Sequence, residues 1–481
     1  MRSRPFRGRR RYPTKDPPLA ERALPVRRRK ADLRRRVNAD LGLAFTASGL
    51  TSYGGIEIFR CYLRRIDFSR RLQSHLAPRL LRGDFAAVSM IKLILVMLIL
   101  GAHRLRHVAY LQGDPLVSRF SGLRQLPSDR TLSRWLGQCS LTVRRALQRF
   151  QVELLAQSYR PLRLPRVTLD IDGTVCSTGL TAERAFRGYN PHHRKSPSYF
   201  PITAHLAQTG HILRVQNRAG NVNDGKAAMG FLRDALRDLA QVAPGATAEI
   251  RMDGAYFRRD IIGWLDTRAE YAIKVPFYQW VDLQTQIRKQ KRWRRVAQDV
   301  DGFDVTLALH PWSRTLRVAI YRKRVQHQSP KNYQLDLFDP TDGHWEYSAV
   351  ATNKTVGIKA LWQFMAGRGA HEKVLSELKS GYAFATIPTR NYAANSTWQL
   401  LAAMAHNLVV SLQIDTTAQR RRHTAKRSPI FALKRIGTLR FEWICRAGVL
   451  QRPAGRQVLK LMNNLPARRE VERIVQRLEA A

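Results

Sequence analysis

Near residue 166 the spacing of apolar residues changes from a helical period to the alternation of strands, and the elements that follow leave few folds open. Strands are predicted at 166–172, 199–206 and 211–217, the last two joined through Gln208-Thr-Gly210 as a hairpin. A helix over 225–242 places Ala227, Ala228, Phe231, Leu232, Leu236 and Leu239 on one buried face. A strand at 248–253, a helix at 257–268 and a strand at 270–275 complete the run. Three strands, helix, strand, helix, strand is an α/β arrangement in which the first and fourth strands lie side by side. Asp172, which ends Val167-Thr-Leu-Asp-Ile-Asp172, and Asp253, which ends Ala248-Glu-Ile-Arg-Met-Asp253, then meet at adjacent strand ends.

That order is the order of a ribonuclease H-like core, expected here over 161–415. It is interrupted at 277–352 by alternating runs such as Phe303-Asp-Val-Thr-Leu-Ala-Leu309 and Thr315-Leu-Arg-Val-Ala-Ile-Tyr321, which predict a β-rich insertion. Before the core, 37–160 reads as a helical accessory or DNA-binding domain. Within it Ser128 is placed to cap the helix that follows Pro127. Arg130 and Arg134 on that helix have two readings, entry into a DNA groove or simple bracing of the next domain. The apolar stretch 85–102 carries Lys92 at its middle and is too short for a bilayer, so it is expected as a buried helix and no membrane is expected as partner. Residues 1–36 read as a disordered basic arm, and 416–481 as a basic loop, Arg420-Arg-Arg-His-Thr-Ala-Lys-Arg427, with further helices.

Charge narrows the function. The 481 residues hold 83 Lys and Arg against 36 Asp and Glu, a formal net charge of +47. The arm accounts for 13 Arg and 2 Lys against Asp16, Glu21 and Asp32, so most of the excess belongs to the folded body, as expected of a protein that binds double-stranded DNA by counterion release. Carboxylates spared in such a chain, Asp172, Asp253 and Glu372, are suited to holding a divalent metal against phosphate. Asp170 shares a strand face with Asp172, so either can be the ligand, the other standing behind it. On one continuous helix Glu372 and Lys379 fall about 40° and about 20° around from Arg368, whereas Glu377 lies about 140° from Glu372. This selects Glu372 over Glu377. A plain surface ion pair between Arg368 and Glu372 is the competing reading. Cys61, Cys139, Cys176 and Cys445 fit no metal spacing, and with no secretory signal the expected location is a reducing cytoplasm.

Taken together, Asp172-Gly-Thr174, Arg218-Ala-Gly-Asn221, Arg251-Met-Asp253 and Arg368-x3-Glu372-x6-Lys379 resemble the DDE transposases of bacterial insertion sequences. The likeness is to the group with a β insertion and a Tyr-x2-Arg-x3-Glu-x6-Lys signature. It continues in Gly49-Leu-Thr-Ser-Tyr-Gly-Gly55, Gly113-Asp-Pro115, Asn395-Ser-Thr-Trp398 and Met404-Ala-His-Asn407-Leu, and departs at Met365, where the signature has tyrosine. The resemblance implies two Mg²⁺ ions, replaceable by Mn²⁺, on Asp172, Asp253 and Glu372, and phosphate contacts from Arg368 and Lys379. It also implies stacking of a displaced base on Trp293, which lies among six basic residues including Arg294, although a core tryptophan is the plainer reading. His192, His193, Arg194 and Lys195 are a further loop near the first strand that can face DNA or solvent. The implied activity is binding of terminal inverted repeats, strand cleavage and strand transfer by a homodimer on the bacterial nucleoid. A non-catalytic DNA-binding descendant and a nuclease without strand transfer are the alternatives.

Overall fold

A computed structural model describes residues 46–480 apart from 78–80, 82–83, 180, 189, 191–195, 223–224, 226, 325–343 and 422–428. The basic arm, the loop at 192–195 and most of the basic loop after Arg420 lie outside the described residues. From Gly49 onward the chain forms one unit built on a nine-stranded sheet. Its strands are β1 (Arg166–Gly173), β2 (Ile202–Leu206), β3 (His211–Gln216), β4 (Thr247–Met252), β5 (Glu270–Lys274), β6 (Arg294–Ala297), β7 (Val300–Leu309), β8 (Arg314–Arg324) and β9 (Trp345–Thr352). Their order across the sheet is β3-β2-β1-β4-β5-β9-β8-β7-β6.

The first five strands take the expected ribonuclease H-like order. β1 lies parallel to β4, with Asp170 level with Arg251 and Ile171 with Met252, so Asp172 and Asp253 leave the sheet at neighbouring strand ends. β1 is buried from Val167 to Ile171, the mark of a strand covered on both faces. The insertion does not stand apart from this core. Its last strand, β9, pairs antiparallel with β5 through Val350, Ala351 and Thr352, and β8, β7 and β6 extend the same sheet outward.

Helices cover the sheet. They include α1 (Ala87–Leu100), α2 (Asp129–Gly137), α3 (Leu141–Tyr159), α4 (Ala228–Val242), α5 (Ile358–Ala366), α6 (Gly369–Gly381) and α7 (Tyr392–Thr416). α1 is the buried helix expected at 85–102, with Ile91 and the residues from Leu93 to Ile99 inaccessible and the Lys92 ammonium over the Phe120 ring. Among the described residues no single helix is long and apolar enough to cross a membrane. Ser128 caps α2 as expected, its hydroxyl accepting from the Thr131 amide. Helices before and after the sheet share one apolar core, in which Ile94 and Leu98 join Trp398, Met404, Ile436 and Trp443. At the C-terminal end the structure adds short strands to the expected helices: Leu50–Thr51 pairs with Gly448–Gln451, which pairs with Val458–Leu461. Two of the motif segments meet here, for Asp114 caps Pro115–Ser121 and also accepts a hydrogen bond from the Thr51 hydroxyl at 2.8 Å.

β3 is an edge strand, whose free backbone groups need partners if they are to be buried. Side-chain amides supply them. Asn407 of α7 accepts from the Ile212 amide at 2.8 Å and donates to the Ile212 carbonyl at 2.7 Å. From the other side Gln151 donates to the Ile212 carbonyl at 3.1 Å and Gln148 to the Leu213 carbonyl at 2.8 Å.

Candidate active site

The parallel alignment of β1 with β4 decides what each acid of the first strand does. Asp170 is fully buried, and Arg251, also fully buried, grips it with two hydrogen bonds of 2.6 and 2.7 Å. Burial alone would raise this carboxyl, but the Arg251 guanidinium and the His205 ring hold it well below the usual carboxylate range. Both oxygens of Asp170 are thus committed to protein partners. Asp172, two residues on, has passed the end of that pairing and is partly exposed, with Arg368 at 2.9 Å from its Oδ2. Asp253 caps the turn after β4, accepting from the Gly254 amide at 2.8 Å, and is half-buried.

Arg368 gathers the two aspartates. Burial would lower its pKa, yet the charges of Asp172 and Asp253, in that order, raise it. The helix expected as one piece over 358–382 is in fact broken at Gly367, and Arg368 is the residue that caps α6 rather than a member of its interior. Gly367 and Arg368 both keep right-handed helical dihedrals, so this turn leaves Arg368 near the helical phase of Glu372. Glu372 sits in the first turn of α6 and is exposed, with its side chain unpaired among the described residues. No three His, Cys, Asp or Glu side chains among those residues are grouped closely enough to hold a metal. The structure brings Asp172 and Asp253 together around Arg368, and it leaves Glu372 outside that group. Lys379 is half-buried on α6 and close enough to Cys176 for its charge to act on the thiol. Glu377, set aside above in favour of Glu372, accepts from the Ile436 amide at 2.8 Å.

Arg130 and Arg134 are exposed on α2, and Arg294 is exposed on β6. Trp293 is half-buried, edge-on to Phe303 at 4.8 Å and covered by the Arg322 guanidinium at 4.4 Å. Met365 is half-buried against a small cluster that includes Ala272 and Val350.

Arg251, present in the sequence only as part of Arg251-Met-Asp253, has a structural role. Its Nη1 donates to the Phe364 carbonyl at 2.6 Å and its guanidinium covers the Phe364 ring, so it ties the end of α5 to the paired strands β1 and β4 just before Arg368. His205 lies within 3.3 Å of Asp170, and the His371 ring lies 5.0 Å from the His205 ring. Burial, with His205 adding to it, holds His371 neutral far below its ordinary range. The signal that would have found this group is charge at an aligned position: an acid and an arginine in two apolar strand runs that pair in parallel.

The chain matches a family model described as transposase DDE domain, group 1, over residues 33–481. Among solved structures it is similar to a piggyBac transposase synaptic complex with hairpin DNA, determined by cryo-EM. Identity is 11%, TM-score 0.41, and the likeness covers 76% of this chain and 77% of that one. No curated protein matches.

Proposed function

The chain belongs to the transposase DDE domain family, group 1, and on that premise we propose that it binds the terminal inverted repeats of its own element, cleaves the DNA strands and joins them to target DNA. The observation that carries this reading is the meeting of Asp172 and Asp253 beside Arg368 at the ends of two parallel strands. Two accessible aspartates suit Mg²⁺, which commonly takes one or two protein carboxylates and completes its shell with water and substrate phosphate; Mn²⁺ accepts the same donors. Glu372 is the third carboxylate of this proposal. When bound, the metal would polarise the scissile phosphate and activate the attacking hydroxyl.

The chain's own part is to receive and orient the phosphate. Arg368, buried and paired with Asp172, presents a guanidinium that can pass from that carboxylate to a phosphate oxygen, which it can grip bidentately. Arg251 holds the Phe364 carbonyl and so fixes the junction from which Arg368 projects. Lys379, Arg294, Arg130 and Arg134 supply charge along the DNA in this proposal, and Trp293 can stack on a base only if Arg322 leaves its ring. Paired ends call for two protomers, acting in the bacterial cytoplasm.

In the test, Asp253→Asn is compared with wild type on labelled end duplex. The variant should bind as wild type does and lose Mg²⁺-dependent cleavage by on the order of 10³-fold or more. Retained cleavage would remove Asp253 from the metal site. A second reading, a DNA-binding descendant without catalysis, is favoured by the position of Glu372 outside the aspartate pair, and absence of cleavage by wild type would select it. Joined products with a target plasmid separate a transposase from a simple nuclease.

A further inference from the structure

We propose that a basic groove at the β3 edge is a second phosphate-binding site, built for the sugar–phosphate backbone of the DNA strand that passes Asp172. The proposal rests on the reading of the chain as a DNA-cutting enzyme. Two adjoining cavities of about 410 and 370 Å³ share Arg145, Gln148, Arg214 and Asp234, and so form one groove. Their walls come from α3, α4, β3 and the start of α7.

Six arginines line it: Arg144, Arg145, Arg149, Arg184, Arg214 and Arg237. The carboxylates in the lining are Asp234 and Asp238, and both are taken. Arg214 pairs with them at 2.6 and 2.5 Å, and Arg237 pairs with Asp234 at 2.6 Å. Arg144 is held toward the groove by the carbonyls of Cys139 and Ala393 at 2.9 and 3.3 Å, and Arg184 lies over the Tyr392 ring at 4.9 Å. Arg145 and Arg149 are exposed, one helical turn apart on α3, and neither has an ion pair among the described residues. Like charges at that spacing repel, and four arginines without carboxylates in one concavity hold a strong positive potential. A polyanion relieves it.

Position identifies the polyanion. Val215, in the groove, is level with Thr203 of β2, and Thr203 is level with Asp172 of β1. Two strand spacings put the groove roughly 10 Å to one side of the catalytic strand, at the same end of the sheet. A DNA strand advances about 3.4 Å per phosphate along the helix axis, so one held at Asp172 reaches the groove within about three or four nucleotides. The amide caps on β3 extend to Leu213, and the groove begins at the next residue.

The full-length protein and an end duplex of about 30 base pairs test this. Binding is measured over a range of salt for wild type, for Arg145→Ala/Arg149→Ala, and for Arg456→Ala/Arg469→Ala, which removes the same charge from exposed positions elsewhere. The groove pair should weaken binding and make the slope of log K against log salt shallower by about 2, close to 0.9 per lost phosphate contact. The control pair should leave that slope near wild type. An unchanged slope for the groove pair, or equal changes in both pairs, overturns the proposal. Repeating the titration with inorganic phosphate as competitor tells the sources apart: displacement of duplex by millimolar phosphate alone would mean a small-anion site and also overturns it. Loss of Mg²⁺-dependent cleavage in wild type, with duplex binding and the slope difference intact, defeats the catalytic reading and leaves the groove standing. All three proteins should unfold at the same temperature, since the altered side chains are exposed.

Discussion

Arg251 carries its charge where no solvent reaches it, and what makes this tolerable is Asp170 one strand away. Removing one partner of a buried pair leaves the other uncompensated, at a cost of about 3–5 kcal/mol, whereas replacing both with apolar groups is often nearly neutral. Arg251→Met is accordingly expected to lower stability by that amount in urea unfolding, and Asp170→Leu/Arg251→Met to recover much of it. Equal losses in the two would show that the pair does not act as a unit. The same residues mark a limit of sequence reading. Alternation puts Asp170 and Asp172 on one strand face and cannot rank them, because what separates them is the register of β1 against β4, a contact between segments far apart in the chain. The turn at Gly367 that divides α5 from α6 is hidden for a related reason, since periodicity does not report a local change from four-residue to three-residue hydrogen bonds.

At the scale of elements, the strands and the main helices were legible because each is written locally, as alternation or as a 3.6-residue period. The pairing of β9 with β5 was not, since period reports a strand's faces and says nothing of its neighbours. Edge protection is equally invisible in sequence, because Asn407 and Gln148 look like ordinary polar residues until they are placed beside β3. Asn407 satisfies two backbone groups of Ile212, so Asn407→Leu should cost about 1–3 kcal/mol, the penalty for stranding buried polar groups. Hydrogen exchange at the Ile212 amide should quicken in the variant by more than at β1. The helix cap on α2 gives a smaller effect: Ser128→Ala should cost about 1 kcal/mol, read from the shift in unfolding midpoint.

For the whole molecule, buried histidines set the acid limit. Burial lowers His211 to about 3 from its ordinary 6.5, so below pH 6.5 the unfolded chain takes a proton that the folded chain refuses. Stability present above pH 6.5 is then lost as pH falls toward 3, at roughly 1.4 kcal/mol per pH unit for this group. His371 and His406 are lowered as well and add to the loss. Glu270, held at about 2 by Arg166 and Lys354, contributes stability present above pH 4.5 and lost as pH falls toward 2. The unfolding temperature should therefore decline from pH 6.5 downward and steepen below 4.5. His211→Gln should flatten the upper part of that decline, and an unaltered profile in the variant would exclude His211 as a cause.

The nine-stranded sheet ends in two different margins. On one side Asn407, Gln148 and Gln151 take up backbone groups of Ile212 and Leu213 on β3, and on the other β6 presents Arg294 and Arg295 to solvent, charges that repel a second strand of the same kind. On the proposed function, a protein drawn onto DNA by its charge is concentrated there, under conditions in which open sheets fuse. With Ile212 and Leu213 capped on one margin and arginines guarding the other, crowding of that kind is not expected to become fibre growth.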